Sequence, residues 1–261
     1  MTQFIHYTHE NSVAVVTIDN PPMNVLSNQV VAELEEVFTE LAHNESVNVI
    51  ILTGAGEKAF MAGADIKEFP ELITKTREEI IATNLKTNAV LTYISNIPKP
   101  TIALLNGYTF GGGCELSLAC DMRIAEELTQ IGLPEVKLGL FPGGGGTQRL
   151  PRLIGPAKAK ELMFVGDPIL AEEALKLGLV NGVVPNGEGL NATMKLATKI
   201  ASYSLEALSR IKQSVNDGVD LPLTKGLELE ANLFADIFAT EDAKEGIQAF
   251  LEKRKPSFSN K

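Results

Sequence analysis

Residues 97–125 read IPKPTIALLNGYTFGGGCELSLACDMRIA, and within them three consecutive glycines stand one residue ahead of a carboxylate, Glu115. Upstream, TIALL (101–105) is a short apolar run of strand length; downstream, CELSLA continues as an apolar, helix-compatible stretch. Glycine is costly inside a helix or strand, so a run of three marks a close backbone approach or an unusual dihedral. If a helix begins near Cys114, the glycines expose backbone N–H groups at its N-terminus, where unpaired donors and the positive dipole end favour an anion. Tight packing of the helix start against another backbone is the alternative, and the run alone leaves both open.

Working outward, strand-like runs at 13–18 (VAVVTI), 48–53 (NVIILT) and 101–105 alternate with helical patterns. The clearest of these is SNQVVAELEEVFTELAHN (27–44), where Val30, Val31, Leu34, Val37, Phe38 and Leu41 recur at helical spacing behind Ser27 as N-cap. This alternation predicts an α/β core. From about residue 190 the strand signal disappears, and residues 223–254 read as helix, so the expected division is an α/β core over 1–195 and a helical region over 196–261.

Composition narrows the function. A net charge of −10 and a pI near 4.9, with no Lys/Arg block interleaved with aromatics, argue against nucleic acid as a partner. The longest apolar runs fall far short of the ~18 residues of a membrane span, and MTQFIHYTHENS lacks the regions of a signal peptide, so no membrane partner and a cytoplasmic location are expected. Cys114 and Cys120, six apart in one predicted helix, suit neither a disulfide framework nor a metal site and read as buried fillers. His6, His9 and His43 have no downstream His or Cys cluster to complete a metal site, and none is expected. With no GxSxG and no His after residue 43, a Ser-His-Asp hydrolase has little to work with. Two more glycine-rich places, TGAGEKAFMAGAD (53–65) and LGLFPGGGGTQR (138–149), lack the GK[ST] ending of a phosphate-binding loop.

Backbone donors from MAGAD and from GGG could jointly clasp one oxygen as an oxyanion hole. Twenty residues after Glu115 comes Glu135, in GLPEVKLG, behind a proline and among apolar Ile131, Leu133, Val136 and Leu138. Such a carboxylate is either a solvated loop charge or a half-buried acid with a raised pKa.

In KAFMAGADIKEF (58–69), the stretch 97–125, IGLPEVKLGLFPGGGGTQRLPRLIG (131–155), FADIFATEDAKEGIQAFLEKRKPSF (234–258) and NPPMNVLS (20–27), the chain resembles the crotonase (enoyl-CoA hydratase/isomerase) superfamily, and most closely its enoyl-CoA hydratases. The resemblance implies a spiral of ββα repeats with an all-helical C-terminal trimerisation region, assembled as a trimer or a dimer of trimers. It implies that Ala64 and Gly112 donate backbone N–H groups to a thioester oxygen and that Glu115 and Glu135 are the catalytic pair. It further implies that Ala62 to Lys67, including Asp65 and Ile66, line the coenzyme A moiety, with backbone near Val25 and the cations Lys58 and Lys67 beside its polar parts. No cofactor is implied, coenzyme A being part of the substrate. Two places depart from the pattern: Ile131 stands where many hydratases carry an aromatic residue, and residues 70–88, bordering the acyl pocket, carry no diagnostic motif.

The implied reaction is reversible addition of water to a 2-trans-enoyl-CoA, as in fatty acid metabolism. Glu115, in the first turn of its helix, is expected to be ionised and to act as base; Glu135, among apolar neighbours, is expected to be the protonated acid. Δ3,Δ2-enoyl-CoA isomerisation needs only one carboxylate and is the rival within enzymes. A non-catalytic acyl-CoA or RNA-binding scaffold is the rival from outside them, disfavoured by the intact glutamate pair and the acidic pI.

Overall fold

The computed structural model describes residues 2–260. Its first strand, β1 (Ile5–Glu10), pairs antiparallel with β2 (Val13–Ile18) across a turn in which Asn11 and Ser12 both take positive φ. The hydrophobic pattern does not announce β1, because within IHYTHE only Ile5 is buried. The helix α1 (Asn28–His43) follows, and the hydroxyl of Ser27 accepts from the Val30 N–H at 3.2 Å as its cap.

The chain then repeats one unit. β3 (Val49–Gly54) and β4 (Ala59–Ala62) precede α2 (Phe69–Ile73) and α3 (Arg77–Asn96); β5 (Thr101–Leu105) and β6 (Tyr108–Phe110) precede α4 (Gly112–Leu118). β7 (Met122–Glu126) and β8 (Gln130–Gly132) precede α5 (Gly146–Ile154) and α6 (Pro156–Val165). In each turn of the spiral one strand joins a six-stranded sheet of order β1-β2-β3-β5-β7-β10 and its successor joins a four-stranded sheet of order β4-β6-β8-β9. The sheets are completed by β9 (Ile169–Leu170) and β10 (Gly182–Val184), with α7 (Ala171–Lys176) between them.

The larger sheet is covered on both faces, which is why VIIL reads as an unbroken apolar run rather than an alternation. Ile50 and Leu52 point into the main core with Phe38, Phe60 and Leu91, while Val49 and Ile51 face a second cluster that includes Ala197 of α8 (Gly189–Ala201). That helix runs across position 195/196. The remaining helices are α9 (Leu205–Gly218), α10 (Leu223–Ile237) and α11 (Glu241–Leu251). The stretch 223–254, expected to be helical, forms two helices, since the Thr240 hydroxyl accepts from Ala243 N–H and starts a new one. α4 is also shorter than expected. It ends at Leu118, so Cys120 lies beyond it in the turn into β7; both cysteines are buried and free.

Candidate active site

β4, β6 and β8 are neighbouring parallel strands, with Ala62 opposite Phe110 and Phe110 opposite Gly132. Their carboxyl ends therefore emerge side by side, the place where open parallel sheets gather ligands. The three loops leaving them carry Ala64, then Gly112 and Glu115, then Glu135. Residues far apart in sequence meet because the spiral returns each second strand to the same small sheet.

The glycine run has a distinct physical reason at two of its positions. Gly111 caps α4 at φ +49°, and a methyl group there would stand 2.9 Å from Oε1 of Glu135. At Gly113 a methyl would lie 2.0 Å from the Met61 carbonyl oxygen, a collision with backbone that nothing could relieve. Both readings of the run therefore hold: tight packing at Gly113, and an open helix start at Gly112.

Ala64 forms an isolated parallel bridge with Leu26, in which Leu26 N–H donates to Gly63 O and Asp65 N–H donates to Leu26 O. That pattern leaves the N–H of Ala64 itself uncommitted. Gly112 is the first residue of α4, whose N–H no turn of the helix can use. Among the described residues neither N–H has a backbone acceptor. They are close together, since a methyl built on Gly112 would be 3.6 Å from the Ala64 nitrogen.

Both carboxyls face the same cavity, of about 510 Å³, which is also lined by Ala62, Ala64, Ile66 and Gly112. Glu115 is only 4% exposed, and its Oε1 accepts from the Gly146 N–H at 2.8 Å. Burial pushes its carboxyl up to about 7, against the pull of the Gly146 and Gly144 N–H groups and of Arg149, with the Glu135 charge adding to the rise. The first-turn position on a helix of seven residues thus does not keep this acid in the ordinary carboxylate range. Glu135 is the second residue of a 3-10 helix (Pro134–Leu138); burial raises its pKa too, and its Oε2 is buried without a hydrogen-bond partner among the described residues.

The other residues implicated by sequence sit outside the cavity wall. Lys58 and Lys67 are exposed, Val25 is half-buried beside Leu26, and Asp65 accepts from Lys67 N–H to cap the 3-10 turn Ile66–Glu68. Ile131 is buried in the core of β8, opposite Thr109 and Ile169, and does not line the cavity. Residues 70–88 do border it, through Leu72, Ile80, Thr83 and Asn84 among others.

Motifs alone do not reveal the role of the loop 142–145 and the start of α5, whose backbone holds Glu115. A methyl on Gly144 would be 2.5 Å from Glu115 Oε2, so this second glycine run makes room for the carboxylate that the first one presents. The signal was present as the run PGGGG, 142–146, but its partner could not be read without the fold.

The model of the enoyl-CoA hydratase/isomerase family matches residues 8–261. The chain belongs to this family. It is 43% identical to the short-chain-enoyl-CoA hydratase of Clostridium acetobutylicum over 247 residues, covering 94% of each chain. It is 42% identical to the crotonyl-CoA hydratase of Syntrophomonas wolfei, over 97% of this chain and 96% of that one. Among solved structures, an enoyl-CoA hydratase from Bacillus anthracis superimposes with a TM-score of 0.93 at 39% identity, covering 99% of this chain and all of the other. The spiral of ββα repeats and the helical C-terminal region are those of the family's solved members.

Proposed function

We propose that the protein is an enoyl-CoA hydratase, adding water reversibly to a 2-trans-enoyl-CoA to give the 3-hydroxyacyl-CoA. The observation that carries this reading is the convergence, in one apolar cavity, of two uncommitted N–H groups with two carboxyls of raised pKa. The names of the two curated relatives, a short-chain-enoyl-CoA and a crotonyl-CoA hydratase, support short acyl chains.

When water attacks C3, negative charge develops on the thioester oxygen. Two fixed N–H donors, those of Ala64 and Gly112, answer that charge without having to reorganise. The attacking water must lose a proton while C2 gains one, which two carboxyls facing one water accomplish: one accepts, the other delivers, and the pair ends with the protons it began with. Because Glu115 feels the charge of Glu135, the two carboxyls titrate as a coupled pair. Glu115, with its N–H donors, is the better acceptor; Glu135, whose Oε2 is buried and unpaired, is the better site for the proton. This scheme requires no metal or organic cofactor.

The isomerase reading needs one carboxyl and leaves the other unexplained, so hydration is favoured. An assay comparing 2-enoyl-CoAs of increasing chain length with 3-enoyl-CoAs tests it. Hydration of the 2-enoyl esters supports the reading; turnover of 3-enoyl esters alone overturns it.

Assembly as a trimer or dimer of trimers belongs to the same proposal, as does a cytoplasmic location. No helix among the described residues is long and apolar enough to cross a membrane. α9 to α11 leave Ile211, Phe234, Phe238 and Phe250 at least half exposed, and Ile211, Phe234 and Phe238 line a groove of about 500 Å³. Large contiguous apolar surface of this kind calls for a covering subunit. Sedimentation at micromolar concentration is expected to show trimers or hexamers, and a stable monomer would refute the assembly.

A further inference from the structure

Glu115 is held by the loop Pro142–Gly146, and that loop is itself held from α3. The side-chain amides of Asn84 and Asn88, one turn apart, both donate to the Gly143 carbonyl oxygen, each at 2.9 Å. Asn88 also donates to Asn84 Oδ1 at 3.0 Å, which fixes the two amides relative to each other. The Gly143 carbonyl and the Gly144 N–H are the two ends of one trans peptide unit, so they point in opposite directions. One end is clamped by α3; the other belongs to Gly144, which packs on the carboxylate so closely that a methyl on it would stand 2.5 Å from Glu115 Oε2, two residues before the Gly146 N–H that donates to Glu115 Oε1 at 2.8 Å. Arg149 completes the frame by donating to the Gly144 carbonyl at 3.2 Å and to the Thr92 hydroxyl at 3.1 Å.

We propose that Asn84 and Asn88 are positioning residues, which hold the Gly143 carbonyl and so set the backbone from Gly144 to the Gly146 N–H against the carboxylate of Glu115. Two donors on a carbonyl also polarise the peptide and strengthen its N–H as a donor. Both effects favour the ionised, proton-accepting form of Glu115. The other charged or titratable groups that act on Glu115 are Glu135, Arg149 and the Cys114 thiol beside it, none of them on α3. α3 therefore acts on the base through this peptide and, from Thr92, through Arg149. Glycine at 143 fits the arrangement, since a methyl there would meet the Asn84 amide nitrogen at 3.0 Å.

The inference rests on the hydratase reading for its kinetic readout, and a second readout is independent of it. In the Asn84→Ala/Asn88→Ala variant, the acidic limb of the kcat/KM profile for a short 2-enoyl-CoA is expected to move up by about one pH unit, the size of a hydrogen bond to a carboxylate. Activity should then be ~10-fold low at pH 6 and recover toward wild type at pH 8, with KM within about 2-fold. Leu85→Ala, on the exposed side of α3, should leave the profile unchanged. Infrared difference titration of the carboxyl band, each protein against its Glu115→Gln counterpart, should show the same upward shift with no substrate present. A pH profile and an infrared titration that both superimpose on wild type would overturn the proposal, whatever happens to the melting temperature. If wild type hydrates no 2-enoyl ester, the hydratase reading fails while the infrared titration still decides the positioning role. Should the double variant not fold, Asn84→Ala and Asn88→Ala each retain one donor and are expected to show part of the shift.

Discussion

The two carboxyls that face the cavity are held in opposite ways. Glu115 sits in the first turn of α4, nearly inaccessible, with the Gly146 N–H at the start of α5 donating to it, Gly144 packed on its other oxygen and Arg149 adding positive charge. Glu135 is the second residue of a short 3-10 helix, lies against the bare Cα of Gly111, and has a buried oxygen with no partner among the described residues. Both pKa values are raised by the same cause, loss of water, but Glu115 is compensated by donors from another part of the chain and by Arg149, Glu135 only by its own backbone N–H. The difference teaches that raising a carboxyl's pKa and choosing which form it keeps are separate tasks. Burial does the first, and hydrogen-bond donors do the second.

The harshest way to break this comparison is to remove the proton-transfer capacity from each side. Glu115→Gln and Glu135→Gln are each expected to lower hydration by ~10²–10⁴-fold, the usual worth of acid–base help, with little change in KM. The double variant should lose far less than the product, because groups acting as one unit are not additive. Steady-state kinetics with a 2-enoyl-CoA would check this; an intact rate in Glu135→Gln alone would reduce the site to a one-carboxyl machine and favour isomerisation.

A smaller but sharper effect is expected at the wall the two carboxyls share. Gly112→Pro deletes one N–H at the first helical position, where proline is tolerated, so the fold should survive while kcat falls at least ~10²-fold. A folded variant, verified by circular dichroism, with a near-normal rate would take Gly112 out of the chemistry.

The smallest effect separates burial from donation. Since the folded pKa of Glu115 lies near 7, above the ordinary carboxylate value of about 4.5, the native state binds more protons than the unfolded chain in that interval. Stability is then lost as pH rises from about 4.5 to 7, and Glu115→Gln should remove that loss. Denaturant unfolding is expected to show Glu115→Gln gaining on the order of 2 kcal/mol relative to wild type between pH 4.5 and pH 8. A constant difference across that range would mean that the donors, not burial, set the state of Glu115.

Much of this molecule is determined locally. Ser27 caps α1 because its hydroxyl reaches a free N–H three residues on, and VAVVTI and TIALL are strands at the expected residues because both faces of their sheet are covered. The glycines before Glu115 announce an open helix start, and the spacing of motifs announces the family. Other elements escape such reading. β1 is a strand only because β2 offers it an edge, since its own residues are mostly exposed. Neither the helix dipole nor the apolar neighbours of Glu135 foretell that Glu115 is the more deeply buried acid, because burial is decided by what lands on top, here the loop Pro142–Gly146. The bonds from Asn84 and Asn88 to Gly143 span 59 and 55 residues, and no periodicity connects them. Local sequence determined which backbone groups are left unpaired; only the tertiary structure decided which carboxyl they meet, because parallel strands bring distant loops to one edge and water is excluded only once they are there.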